Sequence, residues 1–244
     1  MRWVYISPHF DDAVLSCGGL IWEQSRTGIQ VEIWTICAGD APPGPLSMLA
    51  QVCHFQWGTK TAEETVSKRR LEDQDALQHV GAEAVHFSIP DCIYRRSPAG
   101  EWLYPDDLFV PLHPSEKVLA SDIAVAVNSE LSPDDTLICP LAIGVHPDHV
   151  IVRSAAEQLG RPLLYYADIP YLFDHPEALA PATQGMEAAF HPIPEDGIIH
   201  WQTGIAAYAS QIPVLFQSED RMRAIIHTFW EGQQGVQLWQ ASKG

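Results

Sequence analysis

The sequence has little positive charge, no pair of closely spaced cysteines and no long apolar run. Its 244 residues include 14 Lys and Arg against 31 Asp and Glu, which gives a net charge of -17. Because binding to phosphate requires positive charge on the protein, nucleic acids and anionic membrane surfaces are poor partners. We therefore expect no nucleic-acid partner and no membrane partner.

The lack of transmembrane-like and signal-like segments predicts the cellular compartment of the protein. No apolar run approaches the roughly 20 residues that cross a bilayer. The start of the chain lacks the basic segment, apolar stretch and cleavage site of a signal peptide. The 5 cysteines are odd in number and form no CxxC pair, which argues against a disulfide framework and a cysteine-rich zinc site. We expect a cytoplasmic protein.

Strand-like and helix-like patterns alternate along the chain. The predicted strands are residues 2–7, 31–37, 84–89, 136–143 and 162–169. The predicted helices are residues 11–28, 61–81, 115–131 and 148–160. This alternation predicts an α/β fold, single-domain and Rossmann-like, with a mostly parallel sheet and helices on both faces. No change in composition divides the chain, so residues 1–244 are predicted to form one domain.

Three long segments are predicted to be loops, because they are rich in Pro, Gly and aromatic residues. They are residues 39–58, 90–113 and 170–200. Long loops above the carboxyl edge of a sheet often form lids or substrate walls.

Two motifs directly follow predicted strands: SPHFDDAVLSCGG at residues 7–19 and GVHPDH at residues 144–149. The carboxyl ends of parallel strands share one edge of the sheet, where ligands bind, so the topology can bring the motifs together. Their imidazole and carboxylate side chains are those of His9, Asp11, Asp12, His146, Asp148 and His149.

These side chains suit a catalytic metal site. Zinc in such a site takes three protein ligands, and imidazole and carboxylate groups also bind other divalent metals. His9, Asp12 and His149 can supply the three ligands. Asp11 and His146 would then remain beside the metal as a base toward water and an acid toward a leaving amine. Those are the two tasks of metal-assisted amide hydrolysis.

The motifs resemble those of the PIG-L/LmbE-like family of metal-dependent de-N-acetylases. The family's PHPDDE motif and following GG pair are matched at Pro8, His9, Asp11, Asp12, Gly18 and Gly19. Its HPDH motif is matched in full at residues 146–149. A helical stretch and a strand end of the family are matched at Arg69, Glu72, Ala76, Val80, Gly81, Pro90 and Asp91.

The resemblance implies a role for each motif residue. His9, Asp12 and His149 would bind Zn²⁺, with Fe²⁺ or another divalent metal as the alternative. Asp11 would be the general base. His146 would be the general acid, or would stabilise the oxyanion as an imidazolium.

Further contacts follow from the same resemblance. Asp148 would orient His146 or another ring from outside the metal site. Arg69 and Asp91 would contact the substrate. Both also have a structural interpretation, Arg69 as a surface charge paired with an acid on its own helix and Asp91 as a turn residue.

The leading hypothesis is a zinc-dependent N-deacetylase acting on an N-acetylglucosamine-type conjugate or a related N-acyl compound, a small-molecule substrate. A homo-oligomer is left open.

Departures from the family pattern include Ala13 in place of Glu, Phe10 in place of Pro and Gly144 in place of a Tyr. Ala13 motivates the alternative of a catalytically weakened sugar-binding protein on the same fold. A nucleotide-binding enzyme is disfavoured, because the first strand–helix turn has no GxGxxG motif.

Overall fold

The computed structural model describes residues 2–242, so the ends of the predicted domain, Met1, Lys243 and Gly244, lie outside the described residues. The strands are β1 (Arg2–Ser7), β2 (Gln30–Thr35), β3 (Glu83–His86), β4 (Thr136–Pro140), β5 (Leu163–Tyr166), β6 (Met186–Pro192) and β7 (Gly235–Ala241). The helices are α1 (Asp12–Arg26), α2 (Met48–Gln56), α3 (Ala62–Val80), α4 (Lys117–Glu130), α5 (Pro147–Gln158), α6 (Tyr171–Asp174), α7 (Leu179–Ala182), α8 (Glu195–Ala207), α9 (Ile212–Leu215) and α10 (Glu219–Gln233).

The sheet confirms the predicted α/β, mostly parallel architecture. Its seven strands have the order β3-β2-β1-β4-β5-β7-β6. Strands β1 to β5 are parallel, and β1 pairs with both β2 and β4. The carboxyl ends of β1, β4 and β5 therefore lie side by side at the edge where open α/β sheets bind ligands.

Helices cover both faces of the sheet, as predicted. Successive residues of a strand point to opposite faces, and β1 shows this directly. Tyr5 packs in a buried cluster with Trp201 and other residues of α1, α3, α8 and α10. Val4 and Ile6 pack in a second cluster with Ile151 and other residues of α4 and α5.

Two of the predicted loops contain α-helices, and one of these two also contains a strand. Residues 39–58 include α2, which begins after Ser47, whose side chain accepts a hydrogen bond from Ala50 N at 3.0 Å. Residues 170–200 include α6, α7, β6 and the start of α8. The prolines of residues 170–200 do not indicate a loop there, because Pro192 is the last residue of β6 and Pro194 is the N-cap residue of α8. Proline is tolerated at such ends and beginnings of elements.

The far edge of the sheet is antiparallel, which the sequence patterns did not predict. β7 pairs with both β5 and β6 in antiparallel register. The five cysteines are buried, and none is paired with another within residues 2–242. Within residues 2–242, no helix has both the length and the apolar character that a membrane span needs.

Candidate active site

The turn between β1 and α1 fixes the side chains of the first motif. Ser7 Oγ donates to His9 O at 2.6 Å and accepts from Ala13 N at 3.1 Å, which closes the turn. Asp12 Oδ2 accepts from His9 N at 2.8 Å. The bond from His9 N holds the Asp12 carboxylate against the turn, whereas the Asp11 carboxylate faces Arg69 on α3.

The three predicted metal ligands meet at one carboxylate oxygen. His9 Nδ1 and His149 Nε2 each lie 3.2 Å from Asp12 Oδ2. A tetrahedral ion with bonds of about 2.0–2.1 Å holds its ligand atoms about 3.3 Å apart, and the two distances to Asp12 Oδ2 match this spacing. Within residues 2–242, His149 Nε2 is buried and makes no well-formed hydrogen bond, and its polar neighbour is the Asp12 oxygen at 3.2 Å.

Each of the two imidazoles predicted to be ligands has a carboxylate beside its other nitrogen. His149 Nδ1 lies 2.7 Å from Asp168 Oδ1, and His9 Nε2 lies 2.9 Å from Asp148 Oδ2. An ionised carboxylate only accepts hydrogen bonds, so these contacts fix the tautomers and direct the remaining nitrogens toward Asp12. Asp148 is thus in contact with His9. Asp168 was missed, although its position just after β5 at the same sheet edge was a usable signal.

Arg69 lies inside the site and not on a surface face of α3. Its Nη2 is 3.3 Å from Asp11 Oδ1, and its Nη1 is 3.5 Å from Asp91 Oδ2. The guanidinium is buried, and its Cζ lies 4.9 Å from the centre of the Trp57 ring. Arg69 therefore connects both remaining predicted carboxylates, Asp11 and Asp91, beside the metal ligands.

The two neighbouring aspartates have opposite electrostatic environments. Burial raises the pKa of Asp11, and the nearby Arg69 opposes this only in part. Burial also acts to raise the pKa of Asp12, but His149 and His9 outweigh it, so that pKa lies well below its usual range. Asp12 is therefore suited to remain an ionised ligand, whereas Asp11 is the more basic carboxylate.

His146 has the hydrogen-bond pattern of a neutral ring. Its Nδ1 accepts from Asp148 N at 3.2 Å and caps the beginning of α5. Because the Nδ1 lone pair is used in this way, a neutral ring carries its hydrogen on Nε2. Burial and the nearby His9 ring, whose centre is 4.9 Å away, hold the pKa of His146 well below its usual range. The pattern favours a neutral donor over an imidazolium.

A second missed residue, Arg95, supports Asp148. Arg95 Nη1 lies 2.5 Å from Asp148 Oδ1, and Arg95 Nε lies 2.5 Å from Glu116 Oε1. Tyr104 in turn donates to Glu116 Oε2 at 2.5 Å. Burial acts to raise the pKa of Asp148, but Arg95 and His9 outweigh it and keep that pKa well below its usual range. No local motif marks Arg95, because its partners are distant in the sequence.

A cavity of about 570 Å³ opens above these side chains. Its deepest lining residues, which are buried, include His9, Asp11, Asp12, Arg69, Asp91 and His146. Ring nitrogens of His9, His146 and His149 lie within 4.8 Å of one another. We favour Asp12 over His146 as the third ligand, because one Asp12 oxygen is equidistant from both other ligands while His146 Nδ1 is already bonded. The cavity thus brings the predicted metal ligands together with Asp11 and His146, the predicted base and acid.

Comparison with known proteins gives a consistent family assignment. The family model described as GlcNAc-PI de-N-acetylase, PIG-L, matches residues 4–159. The chain is 26% identical over 258 residues to a 2'-N-acetylparomamine deacetylase of Niallia circulans, covering 97% of this chain and 93% of that protein.

Solved structures extend the likeness to the whole fold. The zinc-inhibited form of a teicoplanin deacetylase is 29% identical, covers 100% of both chains and has a TM-score of 0.83. The N,N'-diacetylchitobiose deacetylase of Pyrococcus horikoshii is 17% identical, covers 97% of this chain and 82% of its own, and has a TM-score of 0.57. The second likeness is one of fold alone.

Proposed function

The chain belongs to the PIG-L family of GlcNAc-PI de-N-acetylases, and on this premise we propose that it is a zinc-dependent N-deacetylase of an N-acetylated amino-sugar conjugate. The observation that carries the proposal is the convergence of His9 Nδ1 and His149 Nε2 on one oxygen of Asp12, each at 3.2 Å. Relatives named as deacetylases of paromamine and teicoplanin compounds support the same reaction class.

His9, Asp12 and His149 would hold the ion, and Asp148 and Asp168 would hold the two imidazoles in place. A divalent ion at this position supplies Lewis-acid chemistry, since it acidifies water and polarises the acetyl carbonyl. The donor set of two imidazoles and one carboxylate suits zinc and also Fe²⁺.

Asp11 would accept the proton of the attacking water. Its pKa is raised by burial, so it is a stronger base than an exposed aspartate. Arg69, at 3.3 Å, would hold the carboxylate in position. The proton that Asp11 takes up is then available to the amine nitrogen as the carbon–nitrogen bond breaks, and the products are acetate and a free amine.

His146 would act on the acetyl oxygen. With Nδ1 bonded to Asp148 N, the neutral ring presents Nε2–H as a donor to the oxygen as negative charge develops there. The role of proton donor to the amine, which was also expected for His146, would require a proton from a ring whose pKa is low. Donation of a hydrogen bond without proton transfer agrees better with this geometry.

The proposal is tested by separating metal binding from turnover in Asp11→Asn. We expect this variant to retain the bound metal, because Asp11 is not a proposed ligand, and to lose about 10²- to 10⁴-fold in kcat, because the base is absent. Asp75→Asn, at an exposed position on α3, is the matched control and should behave as the wild type. Metal content and acetate release are measured on the same protein samples.

Two other experimental outcomes would change the proposed function. Full activity of Asp11→Asn would refute the assigned base. A wild-type protein that binds metal and N-acetylated sugars but releases no acetate would instead favour the sugar-binding alternative that Ala13 motivates.

A further inference from the structure

The mouth of the cavity is apolar and extends beyond the metal-binding corner. The cavity volume of about 570 Å³ lies within the range of roughly 300–1,000 Å³ found for sites that enclose a whole drug-sized ligand. Phe109, Val52 and Val214 line the same cavity and are 51%, 45% and 43% exposed. Exposed apolar side chains that together line a cavity are typical of ligand-binding grooves.

The apolar lining continues onto the outer face of α2. Met48, Val52 and Phe55 have the spacing of one helical face, and Val52 also lines the cavity. Phe55 is 85% exposed and Met48 is 74% exposed. These three residues form an apolar strip on the outer face of α2, which we call the α2 strip, and Val52 connects it to the cavity lining.

The charged residues around the cavity disfavour binding of a substrate that carries a phosphate group. Arg69 carries the one guanidinium or ammonium group of the cavity lining within residues 2–242, and it is buried between Asp11 and Asp91. The mouth carries the exposed carboxylates of Asp106, Asp107 and Asp174. Phosphate recognition relies on Arg or Lys donors, so a phosphate-linked group at this mouth would meet repulsion without compensation.

We propose that the amino-sugar substrate is a glycoside with an apolar, phosphate-free aglycone that lies along Phe109, Val214 and the α2 strip. The inference rests on the proposed deacetylation and adds the chemical class of the group attached to the sugar. The N-acetyl group lies at the metal-binding corner, and the aglycone covers the apolar mouth. Full burial of each methylene there strengthens productive binding by roughly fourfold.

The test compares N-acetyl-β-glucosaminides with methyl, butyl and octyl aglycones, all below their micelle concentrations, on metal-loaded full-length protein. N-acetylglucosamine 1-phosphate and a nucleoside diphosphate N-acetylglucosamine are the phosphate-bearing comparison compounds. We expect kcat/KM to rise on the order of 100-fold from methyl to octyl, which allows for incomplete burial of the chain. Both phosphate compounds should be poorer substrates than the methyl glycoside.

A matched pair of valine variants locates the effect. Val214→Ser should reduce the octyl-to-methyl ratio of kcat/KM, because it removes apolar contact at the mouth. Val125→Ser is the control, since Val125 is an exposed residue of α4 that does not line the cavity, and this variant should leave the ratio unchanged. A ratio that falls equally in both variants would overturn the assignment of the aglycone to this surface.

Failure of the aglycone assignment and failure of the deacetylase assignment give different experimental results. Equal kcat/KM for methyl and octyl compounds, or preference for a phosphate compound, would overturn the aglycone class and leave the deacetylase reaction intact. Absence of acetate release from every compound would overturn the reaction. In that case calorimetry decides the aglycone class separately: tighter octyl binding with a negative heat-capacity change supports it, and equal binding of octyl and methyl compounds overturns it.

Discussion

At the scale of single residues, two consecutive aspartates are directed to different partners. One oxygen of Asp12 lies 3.2 Å from a nitrogen of both His9 and His149. Asp11 instead faces Arg69 at 3.3 Å. Metal binding and proton transfer are therefore assigned to neighbouring residues that can be changed separately.

The carboxylate behind His149 should control metal affinity. Asp168→Asn keeps an oxygen that can accept from Ile143 N but removes the negative charge that holds His149 Nδ1 at 2.7 Å. We expect zinc affinity to fall about 10- to 100-fold, as is typical for partners of metal-bound histidines. The measurement is competition for zinc against a chromophoric chelator.

Asp174→Asn is the matched control for that measurement, because Asp174 is exposed at the cavity mouth. Its zinc affinity should equal that of the wild type. A folded Asp168→Asn protein with unchanged zinc affinity would contradict the role given to Asp168.

At the scale of secondary-structure elements, the close packing of α1 on α8 holds the first motif in place. Trp201 Nε1 donates to Val14 O at 2.8 Å. A Cβ atom on Gly18 would lie 2.6 Å from Trp201 Cδ1. The glycine pair of the motif is thus explained by helix packing, which fixes α1 and, at its beginning, Asp12.

Gly18→Ala should destabilise the protein by about 1–3 kcal/mol, the usual effect of overpacking a core. Gly232→Ala in α10 is the matched control, since a Cβ there meets no atom within 4 Å. Alanine in that helix should stabilise the protein by about 0.5–1 kcal/mol. Denaturant unfolding of both variants measures these changes, and a Gly18→Ala protein as stable as the wild type would contradict the packing explanation.

Helix α3 is an element that sequence patterns predict from local signals at both of its ends. Helix α3 begins after Thr61, which accepts from Glu64 N at 3.1 Å, and ends at Gly81 with φ of 74°. Helix α2 was missed because its apolar strip, from Met48 to Phe55, faces solvent and gives no core-facing pattern. Strands β6 and β7 were missed because their pairing depends on contacts that form only in the tertiary fold.

At the scale of the whole molecule, the sheet assembles the site from three distant segments. His9 follows β1, His146 follows β4 and Asp168 follows β5, and these strands are adjacent in the order β1-β4-β5. The motif residues could be predicted from the sequence because metal ligands occur in short local patterns. Asp168 and Arg95 could not be identified in this way, because they act through other residues that only the fold brings near.

Because the site exists only in the folded chain, metal and protons should both act on stability. Burial acts to lower the pKa of His149, but Asp12 and Asp168 outweigh it and raise the pKa to about 9 from 6.5. A raised histidine pKa stabilises the fold below pH 6.5, and this contribution is lost as the pH rises through about 9. The metal-free protein should therefore lose thermal stability between these pH values.

The stabilisation by added zinc should increase with pH in the same experiment, whereas the stability of the metal-free protein should fall. Since the ion replaces the proton on His149, the rise in Tm on adding zinc should grow from pH 6.5 to pH 9. His149→Gln, which cannot take up the proton, should lack the pH-dependent loss that is due to this residue. A metal-free Tm that stays constant or rises across this range would be inconsistent with the charged arrangement around His149.

We propose that this chain uses a divalent ion, held by His9, Asp12 and His149, to remove an acetyl group from an amino sugar. The most direct measurement is acetate release from an N-acetylglucosaminide by protein of known metal content, before and after removal of the metal with a chelator. We predict that release stops when the metal is removed and returns when about one equivalent of Zn²⁺ is restored. Acetate release that continues undiminished in the metal-free protein would contradict the account.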